Sequence, residues 1–227
     1  MKLLKTTSLC ALGLLLNTYS TSSFAGTSYK VDNHELPYSY EVVNQLKYRD
    51  MPSYPGKDGN VNWWLCGHAA FATAMNVLRN KYADHANQLE WFHTELSKNF
   101  NYDNTVNNPR REASGDQLQS IVNARTDGFN VSKITTTTRS SIERSLKNSL
   151  TSSTTQQLIA LTKFNGYGHF VVVHEIYYDQ NRSDKGYVKY ADPYGGYASR
   201  TMSYTKFFDG MRDAGTVGRY SYWSMTK

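Results

Sequence analysis

The sequence predicts an α+β fold, with helices in the first part of the chain and an antiparallel sheet in the last, on three observations. An alanine-rich run over residues 66–78 sets Ala69, Ala70, Ala72, Ala74, Met75 and Leu78 where small side chains let a helix pack closely into a core. Three apolar segments after Gln157, at residues 158–161, 170–173 and 187–190, have the length and the branched or aromatic content of strands. A polar, turn-rich link over residues 179–186 joins the last two, as an antiparallel hairpin requires.

Taken in order, the chain opens with Lys2 and Lys5, an apolar run over residues 9–16, and then Ser23-Phe24-Ala25. A basic start, a short apolar core and small residues at the recognition positions read as a secretory signal peptide over residues 1–25, cut after Ala25. The apolar core is too short for a membrane span, so the expectation is an exported protein, secreted or periplasmic, and soluble once the signal is gone. Cys10 sits inside the apolar core and not at its end, which argues against a lipid-modified cysteine. Removing 25 of the 227 residues leaves 202, enough for one domain with a sizeable core. The signal carries two lysines and no acidic residue, so the formal charge falls from +6 to +4. That excess forms no basic run, and nucleic acid is not indicated.

Residues 26–59 are polar and aromatic, with Pro37, Pro52, Pro55 and a turn-like run at 55–59, and read as an N-terminal extension or lead-in to a domain over residues 60–227. After the helix that starts near Cys66, the residues Trp91, Phe92, Leu96 and Phe100 mark a second helix. Ser114 caps a third running to about Ala124, and Ser140 with Glu143 has capping-box spacing for a fourth running to about Leu150. After the three strands, residues 204–211 form a short amphipathic helix and residues 219–224 a closing strand.

Cysteine usage points to chemistry. Of two cysteines, Cys10 leaves with the signal, and Cys66 stands alone in a compartment where cysteines are normally paired. A thiol is nucleophilic only as thiolate, which the unpaired amides and positive dipole end of a helix N-terminus favour, and Cys66 opens a helix. Gly67 lets the backbone turn closely there, and Trp63 and Trp64 can wall a cleft. The thiolate needs an imidazole base, and the base needs an orienting acceptor. His68 is about 200° around the helix from Cys66. His34 lies in the lead-in, His85 and His93 lie in polar, solvated surroundings, and His174 points by alternation to the opposite strand face. His169 remains, opening the strand at 170–173 behind Gly166-Tyr167-Gly168. Folding residues 169–178 back onto 186–193 brings Asp192 near it, at a strand end where Pro193 stops the ladder.

These residues resemble a known family. Leu65-Cys66-Gly67-His68-Ala69-Ala70, Gly168-His169-Phe170-Val171-Val172-Val173 and Ala191-Asp192-Pro193-Tyr194-Gly195-Gly196 are similar, in order and spacing, to three blocks of the bacteriocin-leader-peptidase-like (double-glycine-peptidase-like) cysteine peptidases. The resemblance runs from about residue 50 to the C-terminus and implies a papain-like fold, with the cysteine helix packed on a sheet bearing the histidine and aspartate. It implies that Cys66 attacks a peptide carbonyl, that His169 carries the proton to the leaving amine, and that Asp192 orients His169. The family usually has glutamine six residues before the cysteine to hold the oxyanion. Asn60 stands there, with Asn62 close by, and either is a shorter donor. His68 stands where the family commonly has proline. Family members that process bacteriocin leaders sit on membrane transporters, and this chain shows no transporter.

The leading expectation is therefore an exported cysteine peptidase cleaving amide bonds in a peptide or protein substrate through a thioester. Cell-wall amide hydrolysis or acyl transfer uses the same chemistry. The rival is a secreted binding or adhesion module on a degenerate peptidase scaffold, which the 18 tyrosines favour. The histidines and the lone cysteine lack paired zinc-site spacings, so no metal and no cofactor is expected.

Overall fold

The computed structural model describes residues 27–30, 39–50, 65–100, 113–152, 155–164, 166–178, 186–214 and 218–227. In chain order these form β1 (Thr27–Lys30), a 3₁₀ helix (Gln45–Asp50), α1 (Cys66–Arg79), α2 (His85–Phe100), α3 (Gly115–Asn123), β2 (Asn130–Thr136) and α4 (Arg139–Leu150). There follow β3 (Gln156–Phe164), β4 (Tyr167–Tyr178), β5 (Tyr187–Asp192), β6 (Tyr197–Ser203), α5 (Tyr204–Ala214) and β7 (Tyr220–Thr226). The architecture is α+β, and every strand pair is antiparallel. The sheet runs β2-β7-β3-β4-β5-β6. β1 pairs with β4 over Glu175–Tyr178, beyond the stretch that β3 occupies.

Helices cover both faces of this sheet. On one face Phe71 of α1, Phe92 of α2 and Leu118 of α3 share a core with Ile159, Phe170, Val172, Trp223 and Met225. On the other, Ile142 and Leu146 of α4 and Phe207 and Phe208 of α5 pack on Leu158, Ala160, Val171, Val173 and Tyr222. Burial on both faces accounts for the nearly unbroken apolar runs of β3 and β4, since alternation with polar residues is expected only where one face meets water. Each fully buried large apolar side chain contributes roughly 1.5–3 kcal/mol, so this double layer is the main source of stability.

The structure departs from the sequence reading in several places. Helices do not all precede strands, because β2 lies between α3 and α4, and β7 is inserted between β2 and β3. Ser140 does not cap α4. Thr138, held extended by the strand it leaves, accepts from the Ser141 amide, and Glu143 instead pairs with Arg139 at 2.6 Å across one turn. Residues 41–43, read as lead-in, join the core. Val42 and Val43 are fully buried, the Val43 amide donates to Thr73 Oγ1 at 2.9 Å, and Asn76 Nδ2 donates to the Glu41 carbonyl at 3.1 Å.

Candidate functional site

Cys66 is the first residue of α1, and no side chain caps the helix at Leu65. The first-turn amides have no intrahelical acceptor and carry the positive end of the helix dipole, directly beside the sulfur. Twelve of the fourteen residues of α1 are buried, so the helix start has little freedom to move. Gly67 sets how near it comes to the sheet. A Cβ there would lie 2.7 Å from Leu118 Cδ1 and 3.1 Å from Phe170 Cδ2, and Phe170 is the chain neighbour of His169. The glycine matters through this contact between α1, α3 and β4 more than through the turn into the helix.

His169 sits in β4, opposite Thr162 of β3 and three residues past Gly166, whose φ of +89° suits the hairpin turn. Asp192 is the last residue of β5, followed by a turn in which Gly195 and Gly196 take φ of +88° and +72°. His169 Nε2 lies 2.7 Å from Asp192 Oδ1. A carboxylate only accepts, so Nε2 carries the proton, and Nδ1 is the nitrogen left for the thiol. Cys66 lies near enough to that ring to raise its pKa. The three side chains are enclosed, with Cys66 4% exposed, His169 7% and Asp192 0%.

Electrostatics follow from this enclosure. Burial pulls the His169 pKa down, but hydrogen bonds to Asp192 and Cys66, with the charges behind them, outweigh it and raise it to about 9. Burial alone would raise Asp192, yet the bonds from His169, the Tyr194 amide and Arg200 hold its carboxyl below the usual range. The arrangement can hold a proton on His169 beside the sulfur and pass it onward.

No protein-family model matches this chain, and no curated protein matches it.

The structure thus brings together Cys66, His169 and Asp192. Asn60, Asn62, Trp63 and Trp64 lie outside the described residues, as does the signal-peptide segment. His68 is fully buried and edge-on to Phe92, with ring centroids 6.1 Å apart. His85 is not simply solvated as its polar surroundings suggest. Its Nδ1 accepts from the Asn44 amide at 3.0 Å, tying α2 to the segment ahead of α1, and His93 is half-buried. Sequence reasoning missed two donors on Asp192, the Tyr194 amide at 2.9 Å from Oδ1 and Arg200 Nη1 at 2.7 Å from Oδ2. The first was readable, because an aspartate before proline commonly bonds the amide two residues on. Among the described residues no group of three or more His, Cys, Asp or Glu is placed to hold a metal ion, and no helix is long and apolar enough to cross a membrane. Two surface depressions, one against α5 at Lys163 and Lys206 and one at Trp91 and Arg125, include none of the three residues.

Proposed function

We propose that the chain is an exported cysteine peptidase with a papain-like arrangement, in which Cys66 is nucleophile, His169 the acid and base, and Asp192 the orienting carboxylate. The observation that carries this reading is the buried His169–Asp192 pair, with Nε2 2.7 Å from Oδ1, and Cys66 at the start of α1 near enough to act on the same ring. The Cys66 thiolate attacks an amide carbonyl carbon, its electron pair forming the C–S bond while the C=O π pair moves onto the oxygen. As the tetrahedral centre collapses, the C–N bond breaks and His169 gives its proton to the leaving amine. Water then attacks the thioester carbon while His169 takes the water proton, the C–S bond breaks, and the carboxylic acid leaves with the Cys66 thiolate and protonated His169 restored. Amides of the first turn of α1, with Asn60 or Asn62, are the donors suited to the oxyanion. The partners of this reading are a peptide or protein substrate, with no cofactor, no nucleic acid and no membrane after signal removal.

A binding or adhesion module is the second reading, favoured by the exposed Tyr82, Tyr167 and Tyr197. Two measurements separate them. The mature chain is expected to cleave members of a diverse peptide library, and Cys66→Ala to remain folded and inactive. Hydrolysis retained in Cys66→Ala sinks the mechanism. Iodoacetamide labelling of Cys66 near pH 6 supports the enzyme, whereas labelling only above about pH 8 supports the binding module. Adding an amine acceptor distinguishes acyl transfer or cell-wall amide chemistry from hydrolysis by the product formed.

A further inference from the structure

Asp192 does not face His169 alone. Its Oδ1 accepts from His169 Nε2 at 2.7 Å and from the Tyr194 amide at 2.9 Å, while Oδ2 accepts from Arg200 Nη1 at 2.7 Å. The carboxylate is fully buried, whereas the Arg200 side chain, on β6, is 36% exposed. Its guanidinium is held by two rings, with Cζ 5.5 Å from the centroid of Phe164 and 5.0 Å from that of Tyr197. Phe164 is also 5.7 Å, ring to ring, from His169, and Tyr197 is the strand partner of Asp192 across the β5–β6 turn. Two aromatic side chains that flank the imidazole and the carboxylate therefore also fix the cation between them.

A carboxylate on a short side chain has one soft torsion that matters here. Rotation about the Cβ–Cγ bond exchanges Oδ1 and Oδ2 and breaks the bond to His169. Tethering both oxygens from different directions removes that freedom. Tyr194 does so from the following turn and Arg200 from the neighbouring strand.

We propose that Arg200 is a positioning residue for the Cys66–His169 pair: by holding Asp192 Oδ2 it keeps Oδ1 on Nε2 and so keeps Nδ1 turned to the sulfur. This rests on the reading of Cys66 and His169 as the reacting pair. Arg200 acts through Asp192 and touches neither the thiol nor the scissile bond. Its loss frees the carboxylate to turn away from Nε2, which removes part of what holds the His169 proton. The charged or titratable groups that bear on His169 are Cys66 from α1 and Asp192 from β5, with Arg200 from β6 acting on Asp192. Tyr190, near Asp192 and Arg200, is pushed up to about 12 and stays neutral over the range tested.

The test needs no substrate. The His169 ring is titrated by NMR in the mature protein, and Cys66 alkylation by iodoacetamide is timed at pH 7, in wild type, Arg200→Met and Arg200→Lys. Thermal melting shows which variants are folded. The wild-type ring is expected to titrate near 9. In Arg200→Met the freed carboxylate turns away from Nε2, so the midpoint should fall toward 6.5 and alkylation should slow roughly tenfold, as when a reacting group is misplaced. Arg200→Lys, which restores the charge without the planar fork, should return the midpoint toward wild type and recover part of the rate. If Arg200→Met does not fold, the lysine variant carries the test through its slower alkylation. A folded Arg200 variant with the wild-type midpoint and rate overturns the proposal. A wild-type ring titrating near the ordinary 6.5 overturns instead the thiolate–imidazolium reading on which it rests.

Discussion

At the scale of single residues, the ordering of the three side chains sets a pH dependence whose sign is fixed by burial and partners. His169 is buried, which favours the neutral ring, yet its hydrogen bonds and the charges on Asp192 and Cys66 prevail and hold its pKa at about 9. Because the folded value lies above the unfolded 6.5, the His169 contribution to stability is fully present below pH 6.5 and is lost as pH rises through about 9. In the proposed mechanism the same proton is the one delivered to a leaving amine, and on that reading peptide cleavage should fall on the alkaline side with a midpoint near 9. In Asp192→Asn the partner keeps its shape and loses its charge. The alkaline midpoint should move down, and turnover should fall by about 10²–10⁴. A pH profile of both proteins on one cleaved peptide checks this. An Asp192→Asn profile that overlays the wild type removes the carboxylate from the mechanism.

At the scale of elements, close approach of α1 to β4 is what delivers the sulfur to the ring, and Gly67 permits it. In Gly67→Ala the new methyl meets Leu118 and Phe170, both packed in the core, and the cost of such overpacking is about 1–3 kcal/mol. The expected result is a lower unfolding midpoint and slower Cys66 alkylation. In a Leu118→Ala background the methyl has room, so the added penalty of Gly67→Ala should shrink, a coupling that a double-mutant cycle measures. Equal penalties in the two backgrounds contradict the packing argument. Elements also show what could be read from sequence. The start of α3 was legible because its signal is local: Ser114 Oγ accepts from the Gln117 amide, and Gln117 Oε1 accepts from the Ser114 amide. The start of α4 was not, because Thr138 and Ser140 both fit a cap by composition, and only the path of β2 decides between them. β2 and β6 escaped notice because they are the outer strands of the β2-β7-β3-β4-β5-β6 run, with mostly exposed side chains and a single buried residue each, Val131 and Met202. Arg200 was hidden for the same reason. It lies on β6, and the register shift between Tyr190 and Asp192 defeats simple counting across the turn. Cys66, His169 and Asp192 were legible because each sits at an element boundary marked by glycine or proline.

At the scale of the whole molecule, the helical layer of α1 and α2 shields from water a charge that forms inside it. His68 tests this. It sits two residues after Cys66, fully buried beside Phe92, and burial foremost, with His93 adding to it, pulls its pKa down to about 3. The unfolded chain takes up this proton near 6.5, so the unfolded state binds more protons over that interval and stability falls as pH falls. At 1.36 kcal/mol per pH unit, the loss from this one group between pH 6.5 and pH 4 is about 3 kcal/mol, a large share of the 5–15 kcal/mol that holds a typical domain together. His169 works in the opposite direction and over a different interval, above 6.5, so the two histidines bound a stability maximum near neutral pH from its two sides. His68→Met keeps a side chain of similar bulk in the core and removes the titrating group. Its stability at pH 7 reports changed packing, including the ring contact with Phe92, but the slope with pH reports only protons. Urea unfolding at pH 7, 5.5 and 4 should therefore show a steep decline in wild type and a shallower one in His68→Met, the difference growing toward acid. Parallel declines in the two proteins mean that α1 and α2 open enough to hydrate His68, and that the core beneath Cys66 is looser than its packing implies.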